Sequence, residues 1–323
     1  MSDAHLSQLR AHQFAGLRPG PKLIVLGAVH GNEVAGVHAI RRVLGELDAG
    51  QLAITRGQVT FVPVTNPLAH ANARRMGDRN LNRNLRPTAV PQDFEDRIAN
   101  VLCPWLDAHD VLLDLHSFQG PGEAFAMIGP EDNNGTLEPF AHAAAEARLA
   151  RHLGPRRLVE GWLRSYEQGV AARRARSGGS GKPLDTDANY GVGTTEYMRS
   201  RGGYSITLEC GQHADPHAPE VGYRAIRQTL ALLGLAEIPL EPPPPAHELL
   251  RLEQVVDRLH ADDRFAREWA SFDAVRAGET VGIRHDGTVV SAPADGRIVF
   301  PNVRAEPGHE WFYFAQPSPR ALA

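Results

Sequence analysis

The chain has little cysteine: two residues in 323, Cys103 and Cys210, with no CxxC pair. That excludes a cysteine zinc knuckle and a disulfide framework, and leaves two small buried thiols. It also lacks a charge excess of one sign. The net charge is −4, so no basic field points to nucleic acid. No apolar run reaches membrane-spanning length, and residues 1–10 are polar where a secretory leader would carry an apolar core. The expectation is a cytoplasmic protein with neither membrane nor nucleic-acid partners. No phosphate loop is present, because Gly31-Asn32-Glu33 matches neither GxGxxG nor a Walker motif.

Hydrophobic residues make up 42% and charged residues 22%, which at this length supports a sizeable core. Residues 23–29 (LIVLGAV) form a continuous apolar run, the mark of a strand buried on both faces. After His30-Gly31-Asn32-Glu33, residues Val34, Val37, Ile40, Leu44 and Leu47 recur at helical spacing. Further strands are expected over 59–64, 111–115 and 204–208, and helices over 92–108, 137–153 and 219–233. Strands alternating with helices predict an α/β domain with a largely parallel sheet. Residues 161–193 read as a long loop containing the Gly/Ser stretch 177–181. A polyproline linker, 242–245, separates a catalytic domain over 1–240 from a small β domain over 246–323. In the latter, short runs at 281–284, 289–292, 297–300 and 311–315 are split by Asp286-Gly287 and Asp295-Gly296, read as hairpin turns.

Four residues share one placement. His30, His116 and Glu209 end predicted strands or follow them directly, and Glu33 lies three residues beyond His30. Ligands bind at the C-terminal strand ends of open α/β sheets, so the topology gathers them into one crevice. HxxE alone is a common pattern, and a lone His after a strand is commonly a hydrogen-bonded loop residue. Together, His30, Glu33 and a third ligand from a distant strand would make a His₂Glu set that leaves a catalytic zinc one open position. Asp114, two residues before His116, points to the same side of its strand and could support that histidine. Glu209 reads either as a general base or as the partner of an arginine. His213 and His217 read as surface residues. The Arg- and Asn-rich segment 74–84 reads as a carboxylate or oxyanion site, or else as a solvated basic loop.

Taken together, these residues resemble the aspartoacylase/succinylglutamate desuccinylase family, a branch of the zinc-carboxypeptidase-like fold. The resemblance rests on the runs 27–33 (GAVHGNE), Asn66-Pro67-x-Ala69, Arg75 through Asn82-Arg83, Asp114-Leu115-His116-Ser117 and Leu208-Glu209-Cys210-Gly211. It implies one zinc per chain held by His30, Glu33 and His116, with Glu209 as the catalytic glutamate. It implies Arg75 at the carbonyl and oxyanion, and Asn82 with Arg83 on the substrate's α-carboxylate. The implied activity is hydrolysis of the acyl amide bond of a small N-acyl amino acid. A metallocarboxypeptidase acting on peptides and a non-catalytic binding protein on the same fold are the alternatives. Cobalt, manganese or nickel would also suit such ligands, and homo-oligomerisation is left open.

Two departures stand out. Asn80 occupies a position where the family usually has Asp, which is expected to alter charge near the carboxylate site. Residues 118–122 (FQGPG) lack the arginine of close desuccinylase relatives. Arg199 and Arg201, with Arg164 behind them, then read either as partners of a side-chain or acyl carboxylate or as surface arginines. The C-terminal β segment also resembles lipoyl- and biotin-carrier barrels, but residues 246–323 contain no lysine to carry a group. It is expected to narrow the catalytic mouth and favour small substrates.

Overall fold

The structure is a computed structural model and describes residues 7–177 and 187–322. Its large sheet is built from β1 (His12–Ala15), β2 (Arg18–Gly27), β3 (Arg56–Val62), β4 (Val111–Phe118), β5 (Phe125–Met127), β6 (Arg157–Glu160), β7 (Tyr204–Gln212) and β8 (Glu248–Asp257). A three-stranded sheet holds β9 (Arg264–Phe265), β11 (Thr280–Ile283) and β12 (Val289–Ser291). Strands β10 (Ala274–Val275), β13 (Gly296–Val299) and β14 (Glu310–Pro317) return to the large sheet. Its order is β1-β3-β2-β4-β7-β5-β6-β8-β14-β13-β10. The central neighbours β3, β2, β4 and β7 are parallel, so the α/β expectation holds.

Strand periodicity decides which residues face which layer. On β2, Leu23 and Val25 join one buried cluster, while Ile24 and Leu26 join the other. Helices α1 (Ala35–Asp48), α4 (Ala143–His152) and α7 (Ala218–Leu232) cover the first face. Helices α3 (Phe94–Asp107) and α6 (Thr194–Ser200) cover the second. Val111, Leu113 and Leu115 of β4 and Ile206, Leu208 and Cys210 of β7 pack under the first set. The alternate residues Asp114, His116 and Glu209 therefore belong to the opposite face.

Several expectations need correction. Most of the supposed loop 161–193 is helix α5 (Trp162–Ser177), followed by a short 3-10 turn over Ala188–Gly191. Leu163, Tyr166 and Val170 form its buried stripe. The arginines that follow obscured that pattern, yet Arg173 and Arg176 both pair with Asp257. Residues 178–181 of the Gly/Ser stretch, and 1–6 of the N-terminal segment, lie outside the described residues. Helix α4 starts at Ala143, not 137, because Asn133 and Phe140 exchange backbone hydrogen bonds and Pro139 disfavours helix before it. The Asp286-Gly287 turn does join the antiparallel pair β11–β12. The Asp295-Gly296 turn is no hairpin, since β12 and β13 lie in different sheets. Strand β8 escaped the sequence reading altogether. It pairs in parallel with β6 and carries the sheet directly into the C-terminal β region. Helix α2 (Pro67–Ala71) completes the elements.

Candidate metal and catalytic site

The site lies where β2, β4 and β7 end. Beyond β2, Ala28 takes a left-handed conformation (φ 46°), a strained bend of the kind found near functional groups, and the chain turns through His30 to Glu33 before α1 begins. Gly31 has no alternative there, because a Cβ would lie 2.0 Å from the Ala69 carbonyl carbon. His116 on β4 and Glu209 on β7 are register partners in a parallel pair, which sets them side by side. All four side chains are buried.

One donor atom from each of His30, Glu33 and His116 lies within 4.8 Å of the others. Glu33 Oε2 accepts from His116 Nδ1 at 2.9 Å and from the Ser117 amide at 3.1 Å. Glu33 Oε1 lies 2.8 Å from His30 Nδ1 and accepts from Arg75 at 2.8 Å. The far ring nitrogens have matching supports. Asn80 Oδ1 stands 3.0 Å from His30 Nε2, and Asp114 Oδ2 stands 3.0 Å from His116 Nε2. Both histidines thus turn Nδ1 toward Glu33, the arrangement of metal ligands held from behind.

The donor chemistry fits a cation. Buried polar atoms are normally paired, yet His30 Nδ1, on the side that faces Glu33, and Glu209 Oε2 have no aligned hydrogen-bond partner among the described residues. Burial, reinforced by Arg75, lowers His30 to about 4, which keeps it a neutral ligand. Burial alone would lower His116 as well, but the Asp114 and Glu33 carboxylates outweigh it and raise it well above the usual value. Burial alone would raise Glu33, yet His30 and His116 hold it well below the usual carboxylate range. Glu209 is pushed up to about 8, chiefly by burial. A cation among these carboxylates would pull it back down.

These groups open on a cavity of about 440 Å³. Arg75, Asn82, Arg83 and Arg199 also border it. The loop bearing Arg75 to Asn84 is shaped by Glu95, a residue that carried no signal in the sequence. This fully buried carboxylate on α3 accepts from the amides of Gly77 (2.9 Å), Asp78 (3.2 Å) and Arg79 (3.2 Å), and from the Asn66 side chain (2.8 Å). Arg79 turns inward to Asp93 and Asp96, so the segment is no solvated basic loop. Asn82 Oδ1 accepts from the Thr194 amide at 2.9 Å. Arg83 lies over the Trp162 ring, 4.8 Å from its centroid.

Other placements differ from expectation. Asn80 Oδ1 serves His30 and also accepts from the Asn82 amide at 2.9 Å, so it stands between the ligand and the expected carboxylate end. Arg201 does not border the cavity; it is half exposed and pairs with Asp107. Arg164 is also exposed and away from it. Arg199 borders the cavity but is enclosed by Glu138, Glu146 and Glu196. His213, expected at the surface, borders the cavity and bonds Ser117 Oγ at 2.9 Å, whereas His217 is exposed. Phe300, Glu310 and Tyr313 of the C-terminal β region form part of the wall, and the Tyr313 hydroxyl is buried without a partner among the described residues.

Fold and site together define a mixed α/β protein with a buried His-Glu-His group able to hold a metal. Residues 19–152 match the model of the succinylglutamate desuccinylase/aspartoacylase catalytic domain. Succinylglutamate desuccinylase/aspartoacylase from Rhodobacter sphaeroides has the same fold, with a TM-score of 0.70, 18% identity, and coverage of 96% of this chain and 90% of that one. Residues 19–152 are thus similar to the succinylglutamate desuccinylase/aspartoacylase catalytic domain, and the chain shares the fold of such a protein. N-alpha-acetyl-L-2,4-diaminobutyric acid deacetylase of Halomonas elongata is 34% identical over 104 residues, 30% of this chain and 29% of the relative. N-acyl-aromatic-L-amino acid amidohydrolase (carboxylate-forming) of Rattus norvegicus is 37% identical over 113 residues, 31% of this chain and 34% of the relative. The chain therefore matches only about a third of each curated relative's length. No helix among the described residues is long and apolar enough to cross a membrane.

Proposed function

We propose that the protein is a zinc-dependent amidohydrolase that cleaves the acyl amide bond of a small N-acyl amino acid. The observation that carries this reading is the buried His30–Glu33–His116 group with Glu209 beside it in register, at the end of a cavity bordered by Arg83. Zinc held by the three ligands would polarise the acyl carbonyl and acidify a water molecule.

The remaining roles fall to the chain itself. Asn82 and Arg83 bind the α-carboxylate, Arg83 being a planar fork braced on Trp162. The Tyr313 hydroxyl supplies a further donor from the C-terminal wall. Arg75 holds the charge that develops on the carbonyl oxygen. Glu209 takes the proton from the attacking water and delivers it to the leaving amine. Phe300 and Glu310 help bound the cavity, which favours small substrates over peptides.

The test is a panel of N-acyl amino acids set against C-terminal peptides, with and without chelator. Chelator-sensitive deacylation of the small substrates is expected. Glu209→Gln should lower kcat by roughly 10³-fold while metal content holds. Peptides as the better substrates, or Glu209→Gln at full activity, would defeat the reading.

A further inference from the structure

Arg83 and Arg199 border the same cavity, and both are buried, 8% and 5% exposed. Their surroundings differ. Arg83 has one long ion pair, 3.5 Å to Glu310, a hydrogen bond to the Asn82 carbonyl at 2.8 Å, and the Trp162 and Tyr166 rings 4.8 and 5.7 Å away. Arg199 is enclosed by carboxylates. Its Nε donates to Glu138 at 2.7 Å and its Nη2 to Glu196 at 2.9 Å. Its Nη1 meets Glu146 at 3.4 Å and Ser205 Oγ at 3.1 Å.

The enclosing carboxylates are themselves fixed. Glu196 also accepts from the Gly193 amide and Thr195 Oγ1, and Glu146 from the amides of Gly129 and Ser205. Gly129 presses on the arginine so closely that a Cβ would sit 2.6 Å from Arg199 Cδ. Arg199 can neither swing out nor shed a partner at small cost, and the carboxylates around it already match or exceed its charge. Arg75 is engaged by Glu33. Arg304 is exposed at the rim, where water and salt screen its charge. The rest of the wall includes Phe118, Met127, Ile128, Trp162 and Phe300.

We propose that the cavity accepts N-acyl amino acids with a single carboxylate and an uncharged, apolar remainder, and rejects dicarboxylic ones. The proposal rests on the deacylase reading and narrows its substrate class. Arg83 serves the one α-carboxylate. A second carboxylate, on the side chain or the acyl group, would be desolvated against aromatic walls and the Glu196 carboxylate, with no buried cation free of a carboxylate partner to meet it among the described residues that line the cavity.

The experiment measures kcat/KM of the zinc-loaded full chain on N-acetyl derivatives of Phe, Met, Lys, Asp and Glu, and on N-succinylglutamate. Phe and Met derivatives should exceed the dicarboxylic ones by about 100-fold or more, the scale of an unpaired buried charge. Glu138→Gln, which loosens the clamp on Arg199 from outside the cavity, should narrow that ratio by about tenfold. A dicarboxylic or lysine derivative preferred by the wild type overturns the proposal. A ratio unmoved in folded Glu138→Gln overturns the part given to Arg199. Should that variant not fold, the wild-type ranking alone decides. A panel in which no derivative of any charge is cleaved fails differently, and takes the deacylase reading with it.

Discussion

The two walls of the cavity are built on opposite terms. The wall from residues 30–116 carries the buried His30, Glu33 and His116 side chains, with His30 Nδ1 lacking an aligned partner among the described residues. The facing wall, from α5 and the C-terminal β region, is packed like a core, with Trp162, Phe300 and Tyr313 in ring contact. Orphaned polar atoms cost stability unless a ligand meets them, whereas packed rings stabilise whether or not one is bound. The first wall is therefore shaped for chemistry and the second for selection. Substitutions that cross these roles test the division.

The largest effect on folding should come from Glu95. Glu95→Ala strands three backbone amides and the Asn66 side chain, and should cost about 3 kcal/mol or more, read by denaturant unfolding. Loss of the Arg75–Asn84 loop should lower kcat/KM as well. Stability unchanged in Glu95→Ala would mean that the loop is held by other contacts.

Tyr313→Phe should behave in the opposite way. Its hydroxyl has no partner among the described residues, so removal should leave stability unchanged or raise it by up to about 1 kcal/mol. KM should rise about tenfold with little change in kcat, the pattern of lost uniform binding. A variant with unaltered KM would place the hydroxyl outside the substrate's reach.

The smallest effect concerns acid stability of the selecting wall. Asp263, bonded to Arg284 and to the amides of Leu259, His260 and His285, has its carboxyl held far below the usual range. Burial opposes that shift and the hydrogen bonds outweigh it. A depressed folded pKa stabilises above the unfolded value of about 3.9 and loses that contribution as pH falls toward the folded one. The Asp263→Asn protein should therefore unfold with a shallower pH dependence below about pH 4 than the wild type. Parallel acid-unfolding curves would remove Asp263 from the account.

The same division explains what could be read from the chain. His30, Glu33, His116 and Glu209 stood out because period-2 strands carry them to one end of a parallel sheet, a placement that apolar runs reveal. The roles proposed for Arg75, Asn82 and Arg83 come only from the family resemblance. Glu95 gave no signal, since a buried carboxylate on a helix looks like any exposed one until its amide partners are known. The surroundings of Arg199 were hidden for the same reason. Its three carboxylates come from residues 138, 146 and 196, and no spacing announces their meeting. The packed wall was hidden because α5 ends in arginines and β8 follows a polyproline stretch, so local pattern gave way to tertiary pairing with Asp257 and β6.

The central claim is that His30, Glu33 and His116 hold one catalytic metal. Metal analysis of protein purified without added metal, beside Glu33→Ala and His116→Ala, tests it most directly. The account predicts about one zinc per wild-type chain and its loss from both folded variants. Wild-type protein without metal, and without activity on added zinc, would contradict it.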